Sequence, residues 1–280
     1  MSSGNNSGYR VFTIGQLDEL LRRLRFDGHR VIGPVLGDGA IVYDEIQSVA
    51  DLPRGWTDEQ EAGSYRLRDG APGYFAYTVP AQSWKQFLHP PRQSLWEAVK
   101  TPDGLRILPA VRAARKTVFL GVRPCELRAI ETQDRVFNGA HPDPHYNAAR
   151  GAALVIVAQC ARAGGTCFCA SMGSGPVAAG GFDLAFTEIP EAGLLLMEAG
   201  SDRGRELLAE TGWPEAPLAL VNQARERSAA AARQMGRQLD TTGLPERLRD
   251  TYGSARWEQI ARRCLSCANC TMVCPTCFCT

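Results

Sequence analysis

The chain has 280 residues and a mass of 30.5 kDa, enough for a real core without disulfide staples and for two domains at most. Hydrophobic residues make up 44% and charged residues 22%, which excludes wholesale disorder. Lys and Arg number 31 against 30 Asp and Glu, so the net charge is +1, too small an excess to neutralise a nucleic-acid backbone.

No stretch approaches the apolar run of a membrane span, and the polar start MSSGNNSGYR lacks the apolar stretch of a signal peptide. The expectation is a cytoplasmic protein with no membrane and no nucleic-acid partner. Ten cysteines in a reducing compartment point to metal or redox chemistry before disulfides, and six of the ten lie in the last 17 residues.

The first ten residues read as disordered. Thr13 fits an N-cap with Gln16 as its capping-box partner. Ile14, Leu17, Leu20, Leu21 and Leu24 follow at helical spacing, and Gly28 is the stop. Segments 30–36 and 40–46 flank Gly37-Asp38-Gly39 and read as a hairpin. The polar, turn-rich segment 51–73 reads as surface loop and 74–79 as a strand. Trp84, Phe87 and Leu88 suit a short helix stopped by Pro90-Pro91. Segment 118–122 reads as a buried strand running into a helix that opens near Pro124 and carries Leu127, Ile130, Asp134 and Phe137. A second buried strand at 154–158 completes a βαβ crossover with parallel pairing. Segments 182–189 and 194–199 read as a further hairpin. From Glu215 the composition shifts. Segment 222–239 reads as a solvated helix broken by Gly243-Leu244-Pro245, and Ser254 as the cap of a last helix through Arg263. The fold class expected is an α/β domain with a mixed sheet at 11–214, a helical connector at 215–262, and a ferredoxin-like iron–sulfur tail at 263–280.

Cys264, Cys267, Cys270 and Cys274-Pro275 carry the C-x2-C-x2-C-x3-C-P spacing of bacterial ferredoxins. Three thiolates two residues apart wrap one 4Fe–4S cubane in a tight turn. The fourth projects the other way and usually ligates a different cluster. Structural zinc is the alternative, although such sites typically use two separated ligand pairs. A two-cluster module needs a second run of this kind, and none follows before Thr280. Either the chain is truncated, which a boundary inside a cysteine-rich loop favours, or Cys274, Cys277 or Cys279 completes the site.

Cys125, Cys160, Cys167 and Cys169 remain, and four is the number a 4Fe–4S cluster requires. Cys125 and Cys160 each follow a predicted parallel strand, which places them at the carboxyl edge of the sheet, where open α/β sheets bind ligands. Cys167 and Cys169 lie in Gly164-Gly165-Thr166-Cys167-Phe168-Cys169, a loop flexible enough to fold over that edge. The position of Cys125 near a helix N-terminus favours its thiolate. The plainer alternative is that Cys125 and Cys160 are buried small hydrophobes.

Other signals are weaker. Gly173-Ser174-Gly175-Pro176-Val177-Ala178 fits a loose dinucleotide glycine pattern but lacks the preceding strand, and reads better as close packing beside the cysteines. His29, His89, His141 and His145 form no ligand-spaced pair. His141 and His145, beside Pro142 and Pro144, read as loop residues, and Trp84 and Trp96 as core.

Several blocks, taken in order, carry a family resemblance. They are Ile32-Gly33-Pro34 with Gly39-Ala40-Ile41-Val42-Tyr43, Asp51-Leu52-Pro53, Asp58-Glu59-Gln60, Ser83-Trp84-Lys85 with Phe87-Leu88, and Pro90-Pro91-Arg92. Three more specific blocks follow: Gly121-Val122-Arg123-Pro124-Cys125-Glu126-Leu127, Gly164 through Cys169, and Cys264 through Cys279. In these the chain resembles the beta subunit of cytoplasmic sulfhydrogenases, which are group 3 nickel–iron hydrogenases, and is similar to the A subunit of anaerobic sulfite reductase. The resemblance implies an electron-transfer subunit with two ferredoxin-type 4Fe–4S clusters. It also implies a flavin- and NAD(P)-binding partner subunit, hydrogenase or sulfite reductase partner subunits and, in hydrogenases, a small subunit carrying further clusters. The family's second cysteine run is absent here.

The function expected is single-electron relay from a flavin- and NAD(P)-binding subunit to a catalytic subunit or back, with the clusters and not side chains carrying the chemistry. The alternatives are an enzyme subunit that reduces sulfur species at thiols such as Cys277 and Cys279, and a structural zinc protein.

Overall fold

The structure is a computed structural model, and it describes residues 8–80, 82–109 and 114–278. Strand β1 (Arg10–Thr13) leads directly into α1 (Ile14–Phe26). The Thr13 hydroxyl accepts from the Gln16 N–H and the Gln16 side chain accepts from the Thr13 N–H, closing the expected capping box. Leu17, Leu20, Leu21 and Leu24 form the buried stripe of α1. Arg10 already belongs to a strand, which corrects the expectation of disorder there; residues 1–7 lie outside the described residues. Next come β2 (Arg30–Leu36) and β3 (Ile41–Glu45), the expected antiparallel hairpin.

Segment 51–73 overturns its reading as loop. It holds β4 (Trp56–Glu61) and β5 (Ser64–Asp69), paired antiparallel. Its polarity is real, because only Asp58 of the pair is buried, and that carboxylate accepts from the Thr78 N–H and hydroxyl. Conversely, 74–79 is no strand. Side chains replace a ladder there. Glu188 accepts from the Tyr74 and Phe75 N–H groups (2.8 and 2.9 Å), and Arg123 donates to the Phe75 and Tyr77 carbonyls (2.9 and 2.7 Å).

The short helix α2 (Lys85–Leu88) stands where expected. A second outlying hairpin, β6 (Trp96–Thr101) with β7 (Gly104–Pro109), was not foreseen. Trp84 is 1% exposed and is core, but Trp96 is 60% exposed on that hairpin, against the reading of both as core.

Strands β8 (Thr117–Val122) and β9 (Ala153–Ala158) are buried at every residue and pair in parallel. Two helices, α3 (Pro124–Phe137) and α4 (Pro144–Ala152), connect them where one was expected. Asp143 accepts from the N–H groups of His145 and Tyr146 and so starts α4, which places His145 in a helix and not a loop. Strand β10 (Leu184–Ile189) pairs parallel with β9 and antiparallel with β11 (Leu194–Ala199). The seven-stranded mixed sheet runs β1-β11-β10-β9-β8-β2-β3. Its pleat sends Val118 and Leu120 to the face under α1, and Phe119 to the face where Leu127 and Ile130 of α3 pack.

Helix α5 (Asp202–Glu210) follows β11, and then α6 (Leu218–Arg233). Helix α6 is not the solvated helix its charges indicated. Val221, Ala224, Ser228 and Ala231 recur at helical spacing and are buried, with Val221 and Ala224 against Ile189 and Leu196. It ends well before Gly243, which opens α7 (Leu244–Asp250) instead of breaking a helix. Ser254 caps α8 (Ala255–Ala261) as read, and α9 (Asn269–Val273) lies inside the last cysteine run. These three helices bury no residue. Among the described residues, no helix is long and apolar enough to cross a membrane.

Candidate metal centre

The parallel strands β8 and β9 end side by side, and the chain leaves each through a cysteine. Cys125 sits in the first turn of α3, just beyond β8, and Cys160 lies two residues beyond β9. The loop 161–181 folds back over this edge. The Cys160 N–H donates to the Pro176 carbonyl (3.1 Å), and the Thr166 hydroxyl donates to Gln60 Oε1 (3.2 Å). Gly165 passes so close to the Gln60 carbonyl that any side chain would collide with it.

Cys125, Cys167 and Cys169 line one cavity of about 680 Å³, together with Gln60, Arg128 and Pro275. Cys160 lies within electrostatic reach of all three. The sequence-predicted four are therefore brought together from three chain segments. Their surroundings are close-fitting. A Cβ on Gly175 would stand 2.9 Å from Cys169 Sγ, and the Gly164 N–H donates to Cys167 Sγ at 3.3 Å.

Burial pushes the Cys125 thiol well up, and Glu126 and the other three cysteines add in the same direction. This overrides the helix N-terminus, which was expected to favour the thiolate. Burial also pushes Cys160 up to about 11, against the pull of the Arg123 guanidinium, and raises Cys169. A bound metal would deprotonate such thiols outright. Among the described residues, no three or more His, Cys, Asp or Glu stand close enough to hold a single metal ion. One tetrahedral ion draws its sulfurs to within about 4 Å of each other. Three of these thiols, Cys125, Cys167 and Cys169, line the cavity instead.

Beneath the cysteines lies a buried polar network. Arg123 spans the Phe75, Tyr77 and Ala158 carbonyls and stacks on the Tyr77 ring at 4.3 Å. Glu126 Oε2 accepts from the Tyr43 hydroxyl (2.6 Å) and the Arg123 N–H (3.0 Å). Its other oxygen makes no hydrogen bond among the described residues. Burial pushes Glu126 up to about 7. Sequence reasoning gave neither residue a role. The available signal was a pair of opposite charges flanking Pro124-Cys125 at the end of an apolar strand.

The C-terminal cysteines are placed differently. Cys264, Cys267 and Cys270 are exposed and Cys274 and Cys277 are half-buried, while Cys279 lies outside the described residues. Between the first three, Ser266 and Ala268 take left-handed φ values of 53° and 61°. That conformation costs a non-glycine residue about 1 kcal/mol or more. The Ser266 N–H donates to Cys264 Sγ at 3.4 Å, and the Cys274 N–H donates to the Cys270 carbonyl at 3.2 Å. Burial opposes ionisation of Cys274, but hydrogen bonds with Thr276 and Cys277 pull it down to about 7. Pro275 and Thr276 then reach the cavity of the first four cysteines.

No protein-family model matches the chain. A curated relative, "Sulfhydrogenase 2 subunit beta" of Pyrococcus furiosus, is 28% identical over 263 residues, which span 93% of this chain and 70% of the relative. The resemblance carried by the cysteine blocks thus extends along nearly the whole chain as similarity to this beta subunit.

Proposed function

We propose that the chain is an iron–sulfur electron-relay subunit of a hydrogenase-type complex. One 4Fe–4S site is formed by Cys125, Cys160, Cys167 and Cys169. A ferredoxin-type site uses Cys264, Cys267 and Cys270, with Cys274 as the fourth thiolate of the run. The observation that carries this reading is the placing of Cys125, Cys167 and Cys169 on one cavity at the carboxyl edge of parallel strands, with Cys160 within electrostatic reach of them. Support for the second site comes from Ser266 and Ala268. A strained backbone between three evenly spaced thiols is the kind of cost that a functional loop carries.

When bound, a 4Fe–4S cluster supplies a one-electron couple. The chain's own groups hold it, cover it and set its environment. The Gly164 and Ser266 N–H groups donate to cysteine sulfurs and disperse negative charge there. The buried Arg123 guanidinium acts on Cys160 and favours the more negative, reduced state. No side chain has to move a proton or attack a substrate. The relative is named as a hydrogenase subunit, and this reading extends that role to the present chain. Its partners are then hydrogenase subunits and a flavin- and NAD(P)-binding subunit, and a reducing cytoplasm suits its thiols.

The test uses Cys160→Ser and Cys267→Ser variants of anaerobically purified protein. Each is expected to remove its own part of the dithionite-reducible absorption and paramagnetic signal and to leave the other part. Unchanged iron and sulfide in both variants would overturn the ligand assignment.

A further inference from the structure

The proline that ends the ferredoxin-type spacing leaves one backbone group without its helical partner. In α9 the Thr271 carbonyl would accept from the N–H four residues on, but that residue is Pro275, which has none. The donor comes from a distant part of the chain. Lys85, the first residue of α2, places Nζ 3.0 Å from the Thr271 carbonyl and 3.4 Å from the Cys277 carbonyl. Lys85 is only 4% exposed, a position lysine rarely takes unless it is paired. Its contacts are backbone carbonyls at the C-terminal end of a helix, where a cation is favoured.

Two neighbouring contacts act in the same place. Phe278 sets its ring edge-on to Phe137 at the end of α3, with centroids 5.5 Å apart. Pro275 and Thr276 close the cavity lined by Cys125, Cys167 and Cys169. Helix α9 buries no residue of its own, so apolar packing does not fix its position.

We propose that Lys85 is the positioning residue that docks the cysteine-rich tail onto the sheet edge, so that the C-terminal cysteine site faces the cavity of the upstream cysteines through Pro275 and Thr276, which line it. The functional consequence rests on the relay reading. With clusters bound at both sites, the docking by Lys85 would fix the gap that a single electron would cross from one to the other, with no bond made or broken and no proton moved. The docking itself is a property of the polypeptide and is measurable whether or not iron is present.

Hydrogen–deuterium exchange on the full chain compares wild type, Lys85→Met and Lys85→Arg. Lys85→Met is expected to speed exchange at 269–278 by about tenfold, the effect of losing a hydrogen bond to a charged group, while β8 and β9 keep their protection. Lys85→Arg restores most of the protection, because the guanidinium also offers two donors to two carbonyls. Unchanged exchange in Lys85→Met overturns the proposal. Should that variant lose protection in β8 and β9 as well, the iron-loaded, dithionite-reduced wild type decides. Mutual broadening of the two paramagnetic signals supports facing sites, and two independent signals overturn them. Absence of iron would sink the relay reading and leave the exchange result standing.

Discussion

Replacing Glu126 by Gln removes a carboxyl whose ionisation the fold opposes. Glu126 is 3% exposed, and one of its oxygens accepts both the Tyr43 hydroxyl and the Arg123 N–H. A Gln carbonyl can accept the same two bonds, so the substitution removes the charge and keeps the geometry. Burial pushes Glu126 from an ordinary 4.5 up to about 7. A group raised in the folded state contributes stability that is full below its unfolded pKa and is lost as pH rises through its folded pKa. The difference between those two values corresponds to about 3 kcal/mol. Wild type should therefore lose about that much unfolding free energy between pH 4.5 and 7 relative to Glu126→Gln. Urea unfolding at intervals from about pH 5 to about pH 8 measures it. The wild-type-minus-variant difference is expected to fall with pH and then flatten above neutrality. A difference that stays constant across the range would refute the reasoning.

Further outcomes follow from other parts of the structure. In metal-free protein at about pH 8, iodoacetamide should label Cys274, which is pulled down to about 7, well before Cys160, which is pushed up to about 11. Equal labelling rates by peptide mass mapping would contradict the site electrostatics. Gly175→Ala places a Cβ 2.9 Å from Cys169 Sγ and 3.5 Å from Pro124 Cβ. It should cost about 1–3 kcal/mol and lower the iron bound upstream, and wild-type melting and iron content would count against that packing. Phe12 stacks on Trp213 with centroids 4.3 Å apart and planes at 6°. Phe12→Ala should lose about 3–5 kcal/mol in urea unfolding, and a loss below about 1 kcal/mol would be inconsistent with its burial. Ile107 on the outlying hairpin is exposed, so Ile107→Thr should leave stability within about 0.5 kcal/mol, and a larger loss would place the hairpin in the core.

Elements with complete local signals were legible in the sequence. In α1 a cap, a capping box and a leucine stripe all agree. The all-apolar runs of β8 and β9 announced buried parallel strands, and with them the edge where Cys125 and Cys160 lie. Helix α6 misled because its buried stripe is made mostly of Ala and Ser, which carry little hydropathy beside exposed arginines. The β4–β5 hairpin misled because both of its faces are largely wet. Segment 74–79 has the composition of a strand, yet its backbone partners are Glu188 and Arg123 from distant positions, and no local pattern reveals such long-range bonds. The same holds for Lys85, whose partners lie 186 and 192 residues away. Spacing indicated which cysteines to consider. The close approach of Gly165 and Gly175 and the left-handed turns at Ser266 and Ala268 belong to the folded chain alone.

The most direct test of the relay is iron and acid-labile sulfide per chain on anaerobically purified protein, with paramagnetic resonance before and after dithionite. The expected result is iron and sulfide in equal amounts, about four of each for every cluster held, and a signal that appears on reduction. Near-zero iron and sulfide with stoichiometric zinc would contradict an electron-relay role for these cysteines and leave them a structural one.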